Sequence, residues 1–234
     1  MNPKVVVTIA VFNEAKTIDS VLQEVPQDID VIIVDDGSTD NTVSIAEAFG
    51  VRVVKHPVNL GQGMALITGF RAALMHDYDL IVEMDGDGQH DPHDIPRFVT
   101  TLQETGCDIV VGSRRLGSSY RGEPFFRRTF LPTLTNVINF FTGYHLTDSM
   151  CGFRAFRASS LRRCHSVLDE TSGRQYVAAE WFIKFSKVGL TVAEIPIHLK
   201  RRRHGASYKG LVRYGWGVAR SIVRGVMWEN VMKK

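Results

Sequence analysis

The sequence predicts an α/β fold built on a mostly parallel central sheet flanked by helices. Runs of β-branched residues alternate with segments of helical periodicity along residues 1–112. The runs lack the apolar–polar alternation of half-exposed strands, and this is typical of strands buried on both faces of a parallel sheet. Polar and acidic residues follow the first, second and fourth runs directly. Because the carboxyl ends of parallel strands meet at one sheet edge, we expect these groups to gather there and bind a ligand.

The elements of the first half can be placed in order from this alternation. Strands are expected at residues 5–11, 31–34, 51–54, 80–82 and 108–112. Helices are expected around residues 13–22, 43–49, 61–75 and 94–102. The second helix follows a turn-rich segment in which Asp40 or Ser38 would cap it. The third helix begins in a glycine-rich turn at Gly61.

Length and composition indicate one globular domain. The chain has 234 residues, 44% of them hydrophobic and 23% charged, which suffices for one sizeable core. Its three cysteines are odd in number and show no C-x-x-C spacing, so neither a disulfide framework nor a zinc site is indicated. The first apolar run is too short to span a membrane, and no cleavage-site pattern follows it. These features predict a cytoplasmic protein.

The charge is distributed very unevenly along the chain. Residues 1–110 hold 6 Lys and Arg against 18 Asp and Glu, a net charge of −12. Residues 111–234 hold 22 basic and 7 acidic residues, a net charge of +15. A basic half favours a partner that carries phosphate or a membrane surface. Nucleic acid is not expected, since no recognition-helix, zinc-finger or RNP-type motif is present.

The most informative short motif is Asp85-Gly86-Asp87, at the end of a predicted buried strand. Two carboxylates at this spacing repel each other unless a cation lies between them or water solvates them. Oxygen ligands of this kind suit Mg²⁺ or Mn²⁺, which also bind substrate phosphates. Gly86 and Gly88 would remove side chains where a ligand approaches closely. The alternative is a solvated Asp-Gly turn. His90 in the same loop could assist at the cation site, but a lone histidine in a polar loop is more often solvated.

Several segments together resemble a known family, the inverting family-2 glycosyltransferases with a GT-A fold. The segments in the first half are Phe12-Asn13-Glu14, residues 35–42, residues 59–63 and residues 85–90. In the second half, Gly112-Ser113-Arg114, residues 148–154, Glu180, residues 194–197 and Arg202-x-x-Gly205-x-Ser207 are similar to the dolichyl- and polyprenyl-phosphate sugar transferases. The best-known type of that group is dolichol-phosphate mannose synthase. The resemblance covers residues 4–208, with departures such as Ala10 in place of a usual proline and Gln62 in place of a common lysine.

The resemblance implies a donor site for a nucleotide sugar and a divalent cation. The residues implied for the nucleotide sugar are Ala10, Phe12, Asn13, Glu14, Asp36, Gly61, Gly63, Asp85 and Gly86. Asp85, Asp87 and Gln89 are implied as ligands of Mg²⁺ or Mn²⁺. Asp36 would accept from ribose hydroxyls or base N–H groups. Glu14 has a structural alternative, as a first-turn acid that favours the helix dipole.

The acceptor decides which catalytic groups are needed. A phosphate monoester is already anionic near neutral pH, so it requires cationic clamps instead of a general base. The implied phosphate-binding residues are Arg114, Arg127, Arg128 and Arg202, and the implied catalytic set is Asp87, Arg114, Arg202 and Glu180. Glu180 has three interpretations: it accepts from the donor sugar, it orients an arginine, or it is a paired core acid. A hydroxyl acceptor would instead use Glu180 or Asp148 as the base, and a non-catalytic nucleotide-binding module is the third function considered.

The tail mixes aromatic and basic residues. We expect one glycosyltransferase domain at residues 1–208 and an amphipathic helical tail at residues 209–234. The tail is too charged to span a bilayer, and it fits either an interfacial helix or a helix docked on the domain. The lipid acceptor would then be reached from the cytoplasmic membrane surface or with a membrane-embedded partner subunit. GDP-mannose is the leading donor, with UDP-glucose next.

Overall fold

A computed structural model describes residues 3–117, 125–171, 175–200 and 211–229. These residues form a seven-stranded sheet of order β3-β2-β1-β4-β6-β5-β7. The strands are β1 (Val5–Val11), β2 (Asp30–Asp35), β3 (Arg52–Lys55), β4 (Leu80–Asp85), β5 (Ile109–Ser113), β6 (Arg154–Arg157) and β7 (Val192–Pro196). The helices are α1 (Ile18–Glu24), α2 (Thr42–Ala48), α3 (Gln62–Leu74), α4 (Ile95–Thr105), α5 (Phe125–Thr142), α6 (Ala158–Arg163), α7 (His165–Asp169), α8 (Val177–Lys187) and α9 (Leu211–Met227), with a 3₁₀ turn at Pro92–Asp94.

The sheet is mostly parallel, as predicted. Strands β1, β2, β3 and β4 run parallel to one another, and β7 runs parallel to β5. The exception is β6, which lies antiparallel between β4 and β5. The sequence Arg-Ala-Phe-Arg of β6 has no apolar run, so periodicity could not identify it as a central strand.

All five strands and four helices expected in the first half are present, with ends shifted by a few residues. Neither predicted residue is the N-cap of α2, because Asn41 occupies that position and makes no side-chain capping hydrogen bond. Asp40 Oδ1 accepts a hydrogen bond from the backbone N–H of Thr42 at 3.0 Å. Ser38 does not cap the helix, because its Oγ accepts from the backbone N–H of Asn13 at 2.8 Å. The hydroxyl therefore connects the loop after β1 to the loop after β2.

Helices cover the sheet with apolar side chains. α3 packs on β1 and β2, and α4 packs against β5, β6 and β7. Phe70 of α3 lies 5.0 Å from the ring of Phe156 and 5.5 Å from that of Trp181, so three elements meet in one buried aromatic cluster. α9 packs along α8. Within the described parts of the chain, no helix combines the length and apolar character needed to cross a bilayer.

The register of the parallel strands brings their polar ends together. Val11 at the end of β1 lies opposite Asp35, and Ala10 lies opposite Asp85. The loops after β1, β2 and β4 consequently leave the sheet at one edge. β6 runs the other way and begins at this edge with Arg154, opposite Glu83. Acidic and basic side chains therefore meet at this edge of the sheet, where a ligand site is expected.

Candidate active site

Asp85 stands at the carboxyl end of β4 and is held from two sides. Gln62 Nε2, at the start of α3, donates to Asp85 Oδ1 at 3.1 Å. The backbone of Gly152 approaches so closely that an added Cβ would lie 2.9 Å from Asp85 Oδ2. Gly86 makes room for protein, because an added Cβ would lie 2.6 Å from Val11 Cγ1. The expectation that Gly86 makes room for a ligand therefore needs correction: neighbouring strand residues fill that space.

The loop after β4 is folded back on itself and tied to the chain beyond β7. Asp87 Oδ1 accepts from the backbone N–H of Gln89 at 3.0 Å. The carbonyl of Gln89 accepts from the backbone N–H of Lys200 at 2.8 Å. Lys200 Nζ forms ion pairs with Asp91, at 3.3 Å, and with Glu24. These bonds fix the loop that carries both carboxylates.

The donor set fits a divalent cation of the predicted kind. Mg²⁺ and Mn²⁺ are commonly held by one or two carboxylates, and substrate phosphates and water complete the coordination shell. Asp85 and Asp87 supply such a pair. Glu24, Asp91 and His93 form another acidic group, with ligand atoms within 4.8 Å of one another. The Lys200 ammonium pairs with two of its three members, so a cation is already provided there by the protein.

His90 is buried, which corrects the expectation that it is solvated. The residue is 6% exposed, and its ring stacks on Phe153 with the centroids 5.0 Å apart. The backbone N–H of Asp85 donates to Nδ1 at 3.2 Å. Burial lowers the pKa of His90 to about 4; Asp87 opposes this shift, and Arg114 contributes to it. Neutral His90 therefore stabilises the end of β4 by accepting the backbone hydrogen bond of Asp85.

Arg114 follows β5 and is fixed by Asp148. Its Nε and Nη2 donate to the two oxygens of Asp148 at 2.5 and 2.7 Å, a bidentate pair. Asp148 is 1% exposed, and its backbone N–H donates to Glu194 at 2.9 Å. Because Arg114 engages both oxygens of the Asp148 carboxylate, this geometry does not favour the carboxylate as a general base. The Arg114 side chain keeps 15% of its surface exposed.

Asp36 lies beneath the turn that starts α3. Its Oδ1 accepts from His56 Nδ1 and from the backbone N–H of Leu60, both at 2.8 Å, and its Oδ2 accepts from the backbone N–H of Gly61 at 2.8 Å. Gly61 has φ of +99°, a conformation that favours glycine. The carboxylate is 3% exposed. It therefore shapes the glycine-rich turn, instead of facing outward to a ribose as the resemblance implies.

The loop after β1 presents an aromatic side chain at the edge. Phe12 is 44% exposed. Asn13 has φ of +56°, and its Oδ1 accepts from the backbone N–H of Thr39 at 2.8 Å. Glu14 Oε2 accepts from Thr17 Oγ1 at 2.8 Å, inside the first turn before α1. The loop that carries Phe12 is thus fixed by hydrogen bonds to the loop after β2.

Glu180 lies on α8, where this helix packs against α9. It is 1% exposed, and Lys184 Nζ lies 2.7 Å from its Oε1. Among the described residues no hydrogen-bond partner reaches its Oε2. This placement matches the third interpretation, a paired core acid, and not the catalytic role. Arg127 and Arg128 lie in the first turn of α5, but the structure does not describe their side chains. Arg202 lies outside the described residues.

Glu83 and Arg154 form a buried ion pair that was not predicted from the sequence. They are 1% and 3% exposed, and Arg154 Nη1 lies 3.3 Å from Glu83 Oε2. Burial raises the pKa of Glu83 to about 7, with Arg154 opposing the shift and Asp85 adding to it. A signal was present for Glu83, which interrupts the otherwise apolar strand β4, but not for Arg154, which opens a strand without an apolar run. The strand pairing that joins them was not predictable, because β6 was not recognised.

The site and the fold can now be set beside known proteins. Residues 6–164 match the sequence model of the family described as "Glycosyl transferase family 2". An undecaprenyl-phosphate mannosyltransferase of Micrococcus luteus is 32% identical over 213 residues, covering 87% of this chain and 86% of the relative. A polyprenol monophosphomannose synthase of Mycolicibacterium smegmatis is 29% identical, covering 87% of this chain and 80% of the relative. A UDP-N-acetylglucosamine–dolichyl-phosphate N-acetylglucosaminyltransferase of Methanococcus voltae is 32% identical, with 81% and 82% covered.

Solved structures agree with the fold. Glucosyl-3-phosphoglycerate synthase from Mycobacterium tuberculosis, in complex with phosphoglyceric acid, has a TM-score of 0.72 at 22% identity, covering 98% of this chain and 82% of that one. The same enzyme in complex with Mn²⁺, UDP and glucosyl-3-phosphoglycerate has a TM-score of 0.68 at 22% identity, covering 98% and 82%. The fold and site thus define a glycosyltransferase of the GT-A type. The chain belongs to glycosyl transferase family 2, which confirms the resemblance seen in its motifs.

Proposed function

We propose that this glycosyltransferase moves a hexose from a nucleoside diphosphate to a polyprenyl phosphate, with inversion at the anomeric carbon. The observation that carries the proposal is the grouping of the Asp85–Asp87 loop, the Arg114–Asp148 pair and buried His90 at one sheet edge. The named relatives support the acceptor more than the sugar. Two of their names print mannose and the third prints N-acetylglucosamine, yet each name prints an undecaprenyl, polyprenol or dolichyl carrier.

The donor half of the proposal rests on the acidic loop. Asp85 and Asp87 would hold Mg²⁺ or Mn²⁺, with Gln89 the third predicted ligand. The ion supplies charge neutralisation for the departing diphosphate. Gln62 orients Asp85 through its 3.1 Å hydrogen bond, and the Lys200 contacts keep the loop closed. Exposed Phe12 offers a surface on which a nucleobase can stack.

The acceptor half rests on cationic groups and on the pairing of the two candidate bases, because Asp148 is held by Arg114 and Glu180 by Lys184. An acceptor phosphate oxygen would attack C1 of the sugar while the C1–O bond to the nucleoside diphosphate breaks, and the electron pair leaves with the diphosphate. The phosphate enters as an anion, so no proton needs removal. Arg114 supplies positive charge near Asp87, since both act on the charge of His90. Arg127, Arg128 and Arg202 remain the further proposed phosphate contacts.

Mannose from GDP-mannose is the proposed sugar, with glucose from UDP-glucose the next choice. The 32% identical relative from Micrococcus luteus is named as a mannosyltransferase, and this supports mannose. The protein would act peripherally at the cytoplasmic face of the membrane. We also propose a membrane-embedded partner subunit. Binding of the purified protein to membranes of its own cell would test this.

The test is a transfer assay with radiolabelled GDP-mannose and UDP-glucose, a short polyprenyl phosphate, and Mg²⁺ or Mn²⁺. We expect label in the organic phase, lost on addition of EDTA. Asp87→Asn and Asp85→Asn should each lower the rate by about 100-fold or more, the usual effect of removing an electrostatic group from such a site.

Asp77→Asn is the matched control. Asp77 is exposed before β4, at the other end of the same strand, so its substitution should leave the rate unchanged. Label that appears only in a water-soluble product would favour the hydroxyl-acceptor alternative. Absence of any sugar-nucleotide binding with Mn²⁺ present would contradict the whole proposal.

A further inference from the structure

A cavity of about 150 Å³ lies next to Asp85, and its lining is partly polar. Gln62 and Asp85 line one side of it, and Gly152 and Met150 contribute backbone and side chain. Tyr214 of α9 lines it as well. The cavity therefore lies between the acidic loop and the second half of the chain. Glu83 and Arg154 also line it, as its most deeply buried charged members.

The Glu83–Arg154 pair is incompletely satisfied. One contact joins the two side chains, at 3.3 Å, although a guanidinium offers five N–H donors. Arg154 Nε has no hydrogen-bond partner among the described residues, and its guanidinium also lies over the ring of Phe182, 5.3 Å from the centroid. A buried donor without a partner costs free energy that a bound oxygen atom would recover.

Stability alone does not explain the pair. A buried ion pair is often no more stabilising than apolar side chains of similar volume, which could join β4 and β6 equally well. The two charged side chains line a cavity, and one of their N–H donors has no partner among the described residues, so the pair is suited to binding a polar part of the substrate.

We infer that Glu83 and Arg154 bind the hydroxyl groups of the donor sugar, and that the cavity beside Asp85 takes one uncharged hexose ring. This inference rests on the proposed function. Side chains at i and i+2 of a strand share a face, so Glu83 lies about 7 Å along β4 from Asp85. The sugar is bonded directly to the diphosphate that the cation at Asp85 would hold, so the ring must lie within a few bonds of that point.

Size and charge define the class of sugar. A cavity of about 150 Å³ has room for at most one sugar ring, since engineered cavities of this size hold one benzene molecule. Glu83 supplies acceptors and Arg154 supplies donors, which suits hydroxyl groups that do both. Among the residues that line the cavity, Glu83 and Asp85 place two carboxylates against the one guanidinium of Arg154, so a further carboxylate from a uronate is disfavoured. The site should therefore prefer a neutral hexose.

The experiment compares the dissociation constants of the nucleotide sugar and of the bare nucleotide by calorimetry with Mn²⁺. The probes are GDP-mannose with GDP, and UDP-glucose with UDP. Glu83→Gln and Arg154→Lys should each weaken binding of the matching nucleotide sugar by about tenfold, equal to 1.4 kcal/mol. Binding of GDP or UDP should change less than about twofold, because the nucleotide itself does not reach the cavity floor.

Asp108→Asn is the matched control. Asp108 is another largely buried acid, paired with Arg163 at 2.9 Å, but it lies before β5 at the opposite end of the sheet. It should lower stability without changing the ratio of the two dissociation constants. Wild-type protein should also bind UDP-glucose more tightly than UDP-glucuronate, and Glu83→Gln should reduce that preference.

The outcomes separate this inference from the proposed function. Equal effects on nucleotide and nucleotide sugar, or tighter binding of UDP-glucuronate by the wild type, would overturn the role of the cavity while leaving transfer intact. Wild-type protein that binds neither nucleotide would instead overturn the proposed function. If Arg154→Lys does not fold, Glu83→Gln decides, since it keeps the shape of the side chain.

Discussion

Asp36 follows β2 and Asp85 ends β4, the two strands on either side of β1, yet their carboxylates have different surroundings. Asp36 accepts three hydrogen bonds from the segment before α3 and is buried beneath it. Asp85 lines a cavity and receives a side-chain hydrogen bond from Gln62. At the residue scale, an acid at a strand end is thus as able to build a loop as to bind a ligand. Which role it takes depends on the chain that passes over it.

His90 makes the acid sensitivity of the protein testable. Burial lowers its pKa from 6.5 to about 4, so between these pH values the unfolded chain binds a proton at His90 and the folded protein does not. The stability from this residue is present above about pH 6.5 and is lost as pH falls towards 4. His90→Gln cannot titrate and keeps a hydrogen-bond acceptor. We expect its unfolding free energy to fall by roughly 3 kcal/mol less than that of the wild type across this window.

Urea unfolding of the metal-free protein at several pH values, with EDTA present, measures this difference. Carboxylates elsewhere contribute equally to both proteins, so the comparison isolates His90. Parallel stability curves for the two proteins from pH 8 to pH 4 would show that the ring is not buried as described.

At the element scale, the position of α9 depends on a close approach to α8. A Cβ added to Gly225 would lie 2.9 Å from Ile183 Cβ and 3.1 Å from the carbonyl oxygen of Glu180. Backbone lies on one side of that gap, so a larger side chain can be accepted only if the helices move apart. The glycine therefore sets the distance between α8 and α9.

Gly225→Leu should lower the melting temperature, because overpacking costs about 1–3 kcal/mol while the gain in helix propensity is under about 1 kcal/mol. Val223→Leu is the control, since Val223 lies in the same helix and is 53% exposed. Thermal unfolding followed by circular dichroism gives both values. A melting temperature for Gly225→Leu at or above that of the wild type would contradict close packing of the two helices.

At the scale of the whole molecule, acidic and basic residues are concentrated in different halves of the chain. The acidic first half carries Asp85 and Asp87, and the basic second half carries Arg114 and α9. Trp216 of α9 is 67% exposed, two residues from cavity-lining Tyr214. Aromatic and basic side chains together favour the interface of an anionic membrane. A lipid phosphate approaching from a membrane would meet this side of the protein first.

Trp216→Ser should reduce co-sedimentation with anionic phospholipid vesicles by several-fold, because an exposed aromatic ring gains free energy at the interface. Met75→Ser is the control: Met75 is 83% exposed, but it follows α3 at the end of the sheet away from the site. Raising the salt concentration should weaken the wild-type binding as well. Equal loss of binding in the two variants would contradict a membrane-facing α9.

The sequence predicted the first half of the fold well because its signals are local. Strand β1 has the predicted bounds, and α3 starts one residue after the predicted glycine turn. Local patterns did not identify β6, whose residues are buried by their neighbours instead of by an apolar run of their own. They also left Glu180 with three interpretations, since a helical acid looks the same whether it faces a substrate or Lys184.

The amino-acid sequence by itself determined the α/β class, the sheet edge that carries the acids, and the family, because strand patterns and motifs are written in consecutive residues. Tertiary structure alone decided which acids are hydrogen-bonded beneath a turn and which line a cavity. Asp36 contacts the segment 24 and 25 residues later, and Glu83 meets Arg154 across 71 residues. Such pairs follow from strand order and register, and these are set when the whole sheet packs.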